Sequence, residues 1–159
     1  MRRRIIGIIG GAEPTAHEEA WAERVGRLLG ERDVAILTGG LGGVMEAASR
    51  GAHGAGGLVI GVVPTGQAES CNRWVEISIA TGIGDARNVV IANSADGFIA
   101  IGGSLGTLSE IAFALKRGKP VVGLGTWALD ETRLAGAGLI CVTTPEEAVT
   151  TLLTELGID

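Results

Sequence analysis

Apolar runs of strand length recur along the chain, at Arg4 to Ile9, Val34 to Leu37, Leu58 to Val63, Gly97 to Ile101, Pro120 to Leu124 and Leu139 to Val142. They are continuous. A strand with one wet face alternates apolar and polar residues, whereas a strand covered on both faces does not, so these runs predict a parallel sheet with helices on each side. Patterns of helical period fall between them, at Pro14 to Leu29, Gly43 to Ala55, Asp85 to Ala95, Thr107 to Arg117 and Pro145 to Leu156. Alternating strands and helices connect by right-handed crossovers. The expected fold class is therefore α/β, a Rossmann-like doubly wound parallel sheet flanked by helices. Residues 1–159 read as one domain, because no linker, repeat or low-complexity stretch divides them.

The helix ends carry recognisable chemistry. Pro14 suits a first helical turn, Gly30 and Gly118 suit C-terminal caps, and Thr107-Leu108-Ser109-Glu110 has the spacing of a capping box. The irregular stretch from Pro64 to about Trp74 has the length of a ligand lid. Two helices are apolar on most sides, one around Val89, Val90 and Ile91, the other around Ile111, Phe113 and Leu115. A helix covering a sheet needs only one apolar stripe, so a second buried face is expected, in a homo-oligomer such as a dimer or tetramer.

Charge and composition exclude several classes of partner. The formal charge is −5 and the 13 basic residues are scattered, which argues against polymeric nucleic acid. Three Trp, two Phe and no Tyr leave few platforms for stacking single strands. The opening Met1-Arg2-Arg3-Arg4 followed by isoleucines mimics a secretory signal, but Gly10-Gly11 and Glu13 break the apolar run, which reads better as the first strand. No segment has the uninterrupted apolar length of a membrane span. Cys71 and Cys141 have neither disulfide nor metal spacing, so a reducing cytoplasm is the expected compartment and no metal site is expected.

The 27 glycines have no period; they cluster where apolar runs end. Ligands of open parallel sheets bind beyond the carboxyl ends of the strands, so these clusters stand where a ligand would. They are Gly10-Gly11, then Thr38-Gly39-Gly40-Leu41-Gly42-Gly43, then Gly102-Gly103-Ser104-Leu105-Gly106-Thr107. Glycine lets an anion approach main-chain N–H groups, and a following helix adds unpaired donors and the positive end of its dipole. A phosphate-bearing small molecule is the expected guest. The second cluster lacks the third glycine of GxGxxG, and GxxxxGK[ST] and HExxH are absent, which disfavours NAD dehydrogenases, P-loop NTPases and zincins.

The segments Thr38 to Ala47, Gly84-Asp85-Ala86-Arg87-Asn88 and Ile101 to Ala112 together resemble the superfamily once labelled lysine decarboxylase-like. No lysine is placed to hold pyridoxal phosphate, so that chemistry is not expected. Within the superfamily the chain is most similar to the molybdenum cofactor carrier branch, short Rossmann proteins that bind a phosphorylated pterin. A further branch, Lonely Guy, contains phosphoribohydrolases that release the base from a purine or cytokinin nucleoside 5′-monophosphate. The resemblance implies a carrier for molybdenum cofactor or a related nucleotide, with N-glycosidic hydrolysis as the alternative. Neither reading requires a cofactor beyond the bound ligand itself. The Lonely Guy pattern has an Arg-Lys pair and PGGxGTxxE; here Arg87 and Glu110 match, while Asn88 stands at the lysine and Ile101 at the proline.

By this reading Arg87 and Glu110 would be catalytic in a hydrolase and ligand-binding in a carrier. Arg87 opens an apolar helix, at the end whose dipole disfavours a cation, which suggests an anionic partner. Its other reading is an ion pair with Asp85. Glu110 is either a carboxylate acting on the sugar or the closing residue of a capping box on Thr107. Gly10, Gly11, Gly39, Gly40, Gly42, Gly43, Gly102, Gly103, Ser104, Leu105, Gly106 and Thr107 complete the expected binding set. Glu46 reads as a first-turn acid, Trp74 as either a ring cover or a hydrophobic anchor, and Trp127 as a rim residue. His17 and His53 read as surface groups.

Overall fold

In the computed structural model, which describes residues 2–158, seven strands form one parallel sheet in the order β4-β3-β2-β1-β5-β6-β7. They are β1 (Arg4–Gly10), β2 (Val34–Thr38), β3 (Leu58–Val63), β4 (Ile77–Ala80), β5 (Gly97–Ile101), β6 (Val121–Leu124) and β7 (Leu139–Val142). The helices are α1 (Ala16–Gly30), α2 (Val44–Gly54), α3 (Arg87–Ser94), α4 (Leu105–Lys116) and α5 (Pro145–Glu155). Every residue of β2, β5 and β6 is buried, as unbroken apolar runs require. Ile6 and Ile8 of β1 face α1, α2 and α5, while Ile9 joins Ile91 of α3 and Ile111 of α4 on the other face. The expected α/β doubly wound architecture is the one observed.

Strands one to four wind outward from β1 in one direction, and the chain then returns to pair β5 on the other flank of β1. Where the winding reverses, the connections leave β1 and β5 on opposite faces and open a crevice at the carboxyl edge. The loops after β1, β2 and β5, which hold the glycine clusters, are therefore neighbours. Behind them, α1 and α2 pack with almost no side chain between: a Cβ at Gly26 would run into the Ala48 carbonyl, and one at Gly51 into the Glu23 carbonyl.

Several local expectations need correction. β4 went unpredicted, because Ile77-Ser78-Ile79-Ala80 is four residues long and exposed throughout, without the apolar run that marks a buried strand. Pro14 precedes α1; Thr15 is its N-cap and forms a reciprocal capping box with Glu18. Gly30 is the last residue of α1, pressed against the Ala52 carbonyl at 2.6 Å from where a Cβ would lie, and Glu31 is the cap. Gly118, with φ +67, follows the Arg117 C-cap as expected. The Thr107–Glu110 capping box does not form: α4 starts two residues earlier, at Leu105, so Glu110 lies in its second turn. The 64–74 stretch is anchored to the second glycine loop, where Asn72 donates from its backbone to the Gly40 carbonyl at 2.8 Å and from its amide to Leu41 O at 3.0 Å.

Candidate functional site

The three glycine loops meet in space. Val44 N–H, the first of α2, donates to the Gly11 carbonyl at 3.0 Å, and at Gly43 (φ +67) a Cβ would strike the carbonyls of Gly11 and Ala12. Gly10 packs on Val44 and the Ile101 carbonyl, and Gly11 lies 3.6 Å, measured from where a Cβ would be, from the Cα of Gly103. Gly10 and Gly43 are thus glycines for close packing. Gly40, whose N–H donates to Thr38 Oγ1 at 3.1 Å, is tied down in the same way, whereas Gly42 faces open space.

The α4 turn is different. No side chain caps its first turn, although Ser104 stands at the N-cap. The Ser104 carbonyl accepts from Leu108 N–H at 3.0 Å and from Trp127 Nε1 at 3.1 Å, which pins the turn from both sides. The N–H groups at the start of the helix remain without a side-chain partner, beside the exposed residues Gly103, Ser104, Leu105 and Gly106. Gly103 has φ +107, and a Cβ there would lie 2.5 Å from Thr107 Oγ1, so only glycine holds this turn open. This is the anion-binding geometry of a helix N-terminus.

A hollow of about 490 Å³ opens beside it, between Gly11 and Gly103, with the carboxyl groups of Glu13 and Glu18 on its wall. A second hollow of about 270 Å³ continues past Gly102 to Thr126 and Trp127, again with Glu18 on its wall. Glu18 Oε2 accepts from Thr15 N–H at 2.9 Å, and the carboxyl group lies over the backbone of Gly102. Two acids beside an uncapped helix start divide the crevice by chemistry. The α4 turn offers N–H donors, and the acid-lined hollow offers acceptors.

Arg87 and Glu110 lie on the α3–α4 side of the same edge. The Arg87 guanidinium rests on the backbone of Gly39, its Nη1 and Nη2 2.7 and 2.9 Å from where a Cβ would stand. Gly39 therefore makes room for a cation. Nη1 donates to Asn88 Oδ1 at 2.9 Å, while Nε is buried without a hydrogen-bond partner. Only 8% of Arg87 and 7% of Glu110 are exposed. Burial pushes the Glu110 carboxyl up from 4.5 to about 7, against the opposing pull of Arg87. Burial likewise lowers Arg87, with Glu110 and then Asp85 opposing. Glu110 is thus a buried carboxyl whose pKa burial raises to about 7, with the Arg87 cation close enough to oppose the rise.

The chain matches the SLOG cluster4 family over residues 3–149. It belongs to that family. Among solved structures, the family member is similar to the molybdenum cofactor binding protein from the phototrophic bacterium Rippkaea orientalis, 38% identical with a TM-score of 0.91, covering 98% of this chain and 99% of that one. It is also similar to the molybdenum cofactor carrier protein from Chlamydomonas reinhardtii, at 34% identity and a TM-score of 0.87 over 98% and 99% of the two chains. A probable cytokinin riboside 5′-monophosphate phosphoribohydrolase of Oryza sativa subsp. japonica is 35% identical over 115 residues, 69% of this chain and 47% of that one. This SLOG protein thus spans about half the length of the rice relative, and the Lonely Guy resemblance holds as homology.

Other expected residues fall away from the crevice. Trp74 lies 5.7 Å, ring to ring, from His53 at the last turn of α2, the end remote from the glycine loop. Trp127 stands on the rim as expected. His17 packs edge-on to Trp21 at 4.1 Å, on the exposed side of α1. Among the described residues no group of His, Cys, Asp and Glu is arranged to hold a metal ion, and no helix is long and apolar enough to cross a membrane. Sequence reasoning missed Glu18, whose signal was Thr15-x-x-Glu18 in front of an apolar helix, and Ser109, whose role depends on the partner that α3 brings to it.

Proposed function

We propose that this protein binds and carries a phosphorylated pterin of the molybdenum cofactor type. The observation that carries the reading is the division of the crevice, an uncapped α4 turn beside an acid-lined hollow, within a chain similar over its whole length to two molybdenum cofactor proteins. The phosphate would take the N–H groups at Leu105, Gly106 and Thr107, with Gly103 and Ser104 at its edge. The amino-oxo edge of a pterin presents adjacent N–H donors, which a carboxylate accepts in pairs, and Glu13 or Glu18 can supply it. Adenine, with one exocyclic amine and no ring N–H, matches those acids less well. Arg87 and Glu110 then line the ligand's other flank, and no cofactor is needed beyond the cargo.

The test is retention. Protein mixed with molybdopterin and passed through gel filtration should hold about one pterin per chain, read after oxidation to its fluorescent form, and GMP should compete better than AMP. Pterin eluting apart from the protein would overturn the reading.

One observation favours a second reading, phosphoribohydrolase activity on a nucleoside 5′-monophosphate: Glu110 is buried, raised to about 7 and opposed to Arg87, as a carboxyl acting on a sugar would be. Free adenine and ribose 5-phosphate released from AMP would establish it. We also infer that copies of the chain associate through α3, α4 and β4. There Leu105 is 74% exposed and Ile77 46%, and a hollow lined by Val89 and Phe113 lies open. Sedimentation showing a monomer at micromolar concentration would remove that inference.

A further inference from the structure

We propose that Asn88 and Ser109 are positioning residues that lock the Arg87 cation to the anion-binding turn of α4. The inference rests on the phosphate reading of that turn. Three hydrogen bonds run in series: Arg87 Nη1 donates to Asn88 Oδ1 at 2.9 Å, Asn88 Nδ2 to Ser109 Oγ at 3.1 Å, and Ser109 Oγ to the Gly106 carbonyl at 2.6 Å.

The direction of the series is forced. A carbonyl can only accept, so the single hydroxyl hydrogen of Ser109 is committed to Gly106, and Ser109 must accept from Asn88. The Asn88 amide then has one orientation, nitrogen toward Ser109 and oxygen toward Arg87, and a guanidinium can only donate to that oxygen. Every member has one available role. The series starts on α3 and ends in the first turn of α4, at the residue whose own N–H is among those left for an anion.

Lysine in place of Asn88 could not do this. It has donors only, would face Arg87 with a second charge, and would leave Nη1 without its acceptor. Asparagine instead adds no charge and fixes the cation already present. Asn88 is itself 8% exposed, and it lines the hollow of about 640 Å³ between the starts of α3 and α4. With Nη1 held, Arg87 Nε, buried and unpartnered, is left as a donor in a fixed place.

The test uses the intact protein and inorganic phosphate, titrated by ³¹P NMR, with melting temperature recorded for every variant. Ser109→Ala and Asn88→Ala should each weaken phosphate binding about tenfold. Ser109→Thr keeps the hydroxyl and should bind phosphate as the unaltered protein does. Asn88→Asp decides between positioning and mere packing, since it has the shape of asparagine but places a negative charge on Arg87. Positioning predicts weaker binding for Asn88→Asp than for Asn88→Ala at a similar melting temperature. Equal or tighter binding by Asn88→Asp, or a Ser109→Ala variant that loses stability while binding phosphate normally, would overturn the proposal. So would a protein that binds no millimolar phosphate. Failure to retain pterin, with these phosphate results intact, would sink the carrier reading alone.

Discussion

Thr15 to Glu18 in α1 and Thr107 to Glu110 in α4 share the spacing Thr-x-x-Glu at the start of a helix, as Thr144 to Glu147 does in α5, and the first two do opposite things. In α1 the helix begins directly after the threonine, and the two side chains close on each other's backbone N–H groups at 3.2 and 2.9 Å. In α4 the helix begins two residues before the threonine, at Leu105. That offset of three residues, most of a turn, carries the glutamate off the helix end and into the layer between α4 and the sheet. The first turn of α1 is satisfied by its own side chains. The first turn of α4 is left for something else, and its glutamate becomes a buried carboxyl beside Arg87. What separates them is Gly103, whose left-handed backbone lets the helix start early.

The largest expected effect tests the buried member. With its carboxyl raised from 4.5 to about 7 in the fold, Glu110 binds its proton more tightly folded than unfolded. Its contribution to stability is full below pH 4.5 and is lost as pH rises through about 7, on the order of 3 kcal/mol by pH 8. Glu110→Gln should abolish this slope and melt several degrees above the unaltered protein at pH 8, with little difference at pH 4.5. Parallel melting curves for the two proteins across that range would remove the contrast between the two glutamates.

Next in size is Arg87→Ala, which should weaken phosphate binding by about 2 kcal/mol, roughly thirtyfold, through loss of a charge-assisted contact. It should also raise the midpoint of the Glu110 titration, because Arg87 opposes the burial that lifts it. A midpoint that falls would mean that the pair is not coupled as described. The smallest effect belongs to α1: Thr15→Ala should lower stability by about 1 kcal/mol and leave phosphate affinity unchanged. Altered phosphate binding in that variant would extend the anion site across the crevice to α1.

The sheet was legible because its strands are buried on both faces, and burial writes itself as unbroken runs such as Val34 to Leu37. β4 was not legible, since an exposed edge strand of alternating Ile and small residues carries no such run. The glycine loops announced a site, but not which glycines face a ligand. That depends on where neighbouring chain passes: Gly43 abuts carbonyls of the first loop, Gly39 makes room for Arg87, and Gly42 meets nothing. Arg87 could be singled out for its charge at the wrong end of an apolar helix. The role of Glu110 could not, because Thr107-x-x-Glu110 fits a capping box equally well until the helix start is known.

The direct backbone contact of α1 with α2 at Gly26 and Gly51 has a kinetic consequence. Two helices that touch carbonyl to Cα cannot slide or tilt independently, so the loops that feed them, after β1 and β2, shift together or stay still. A visitor entering from that side meets a wall already assembled, and its speed of arrival there is set by encounter, with no waiting for the wall to form.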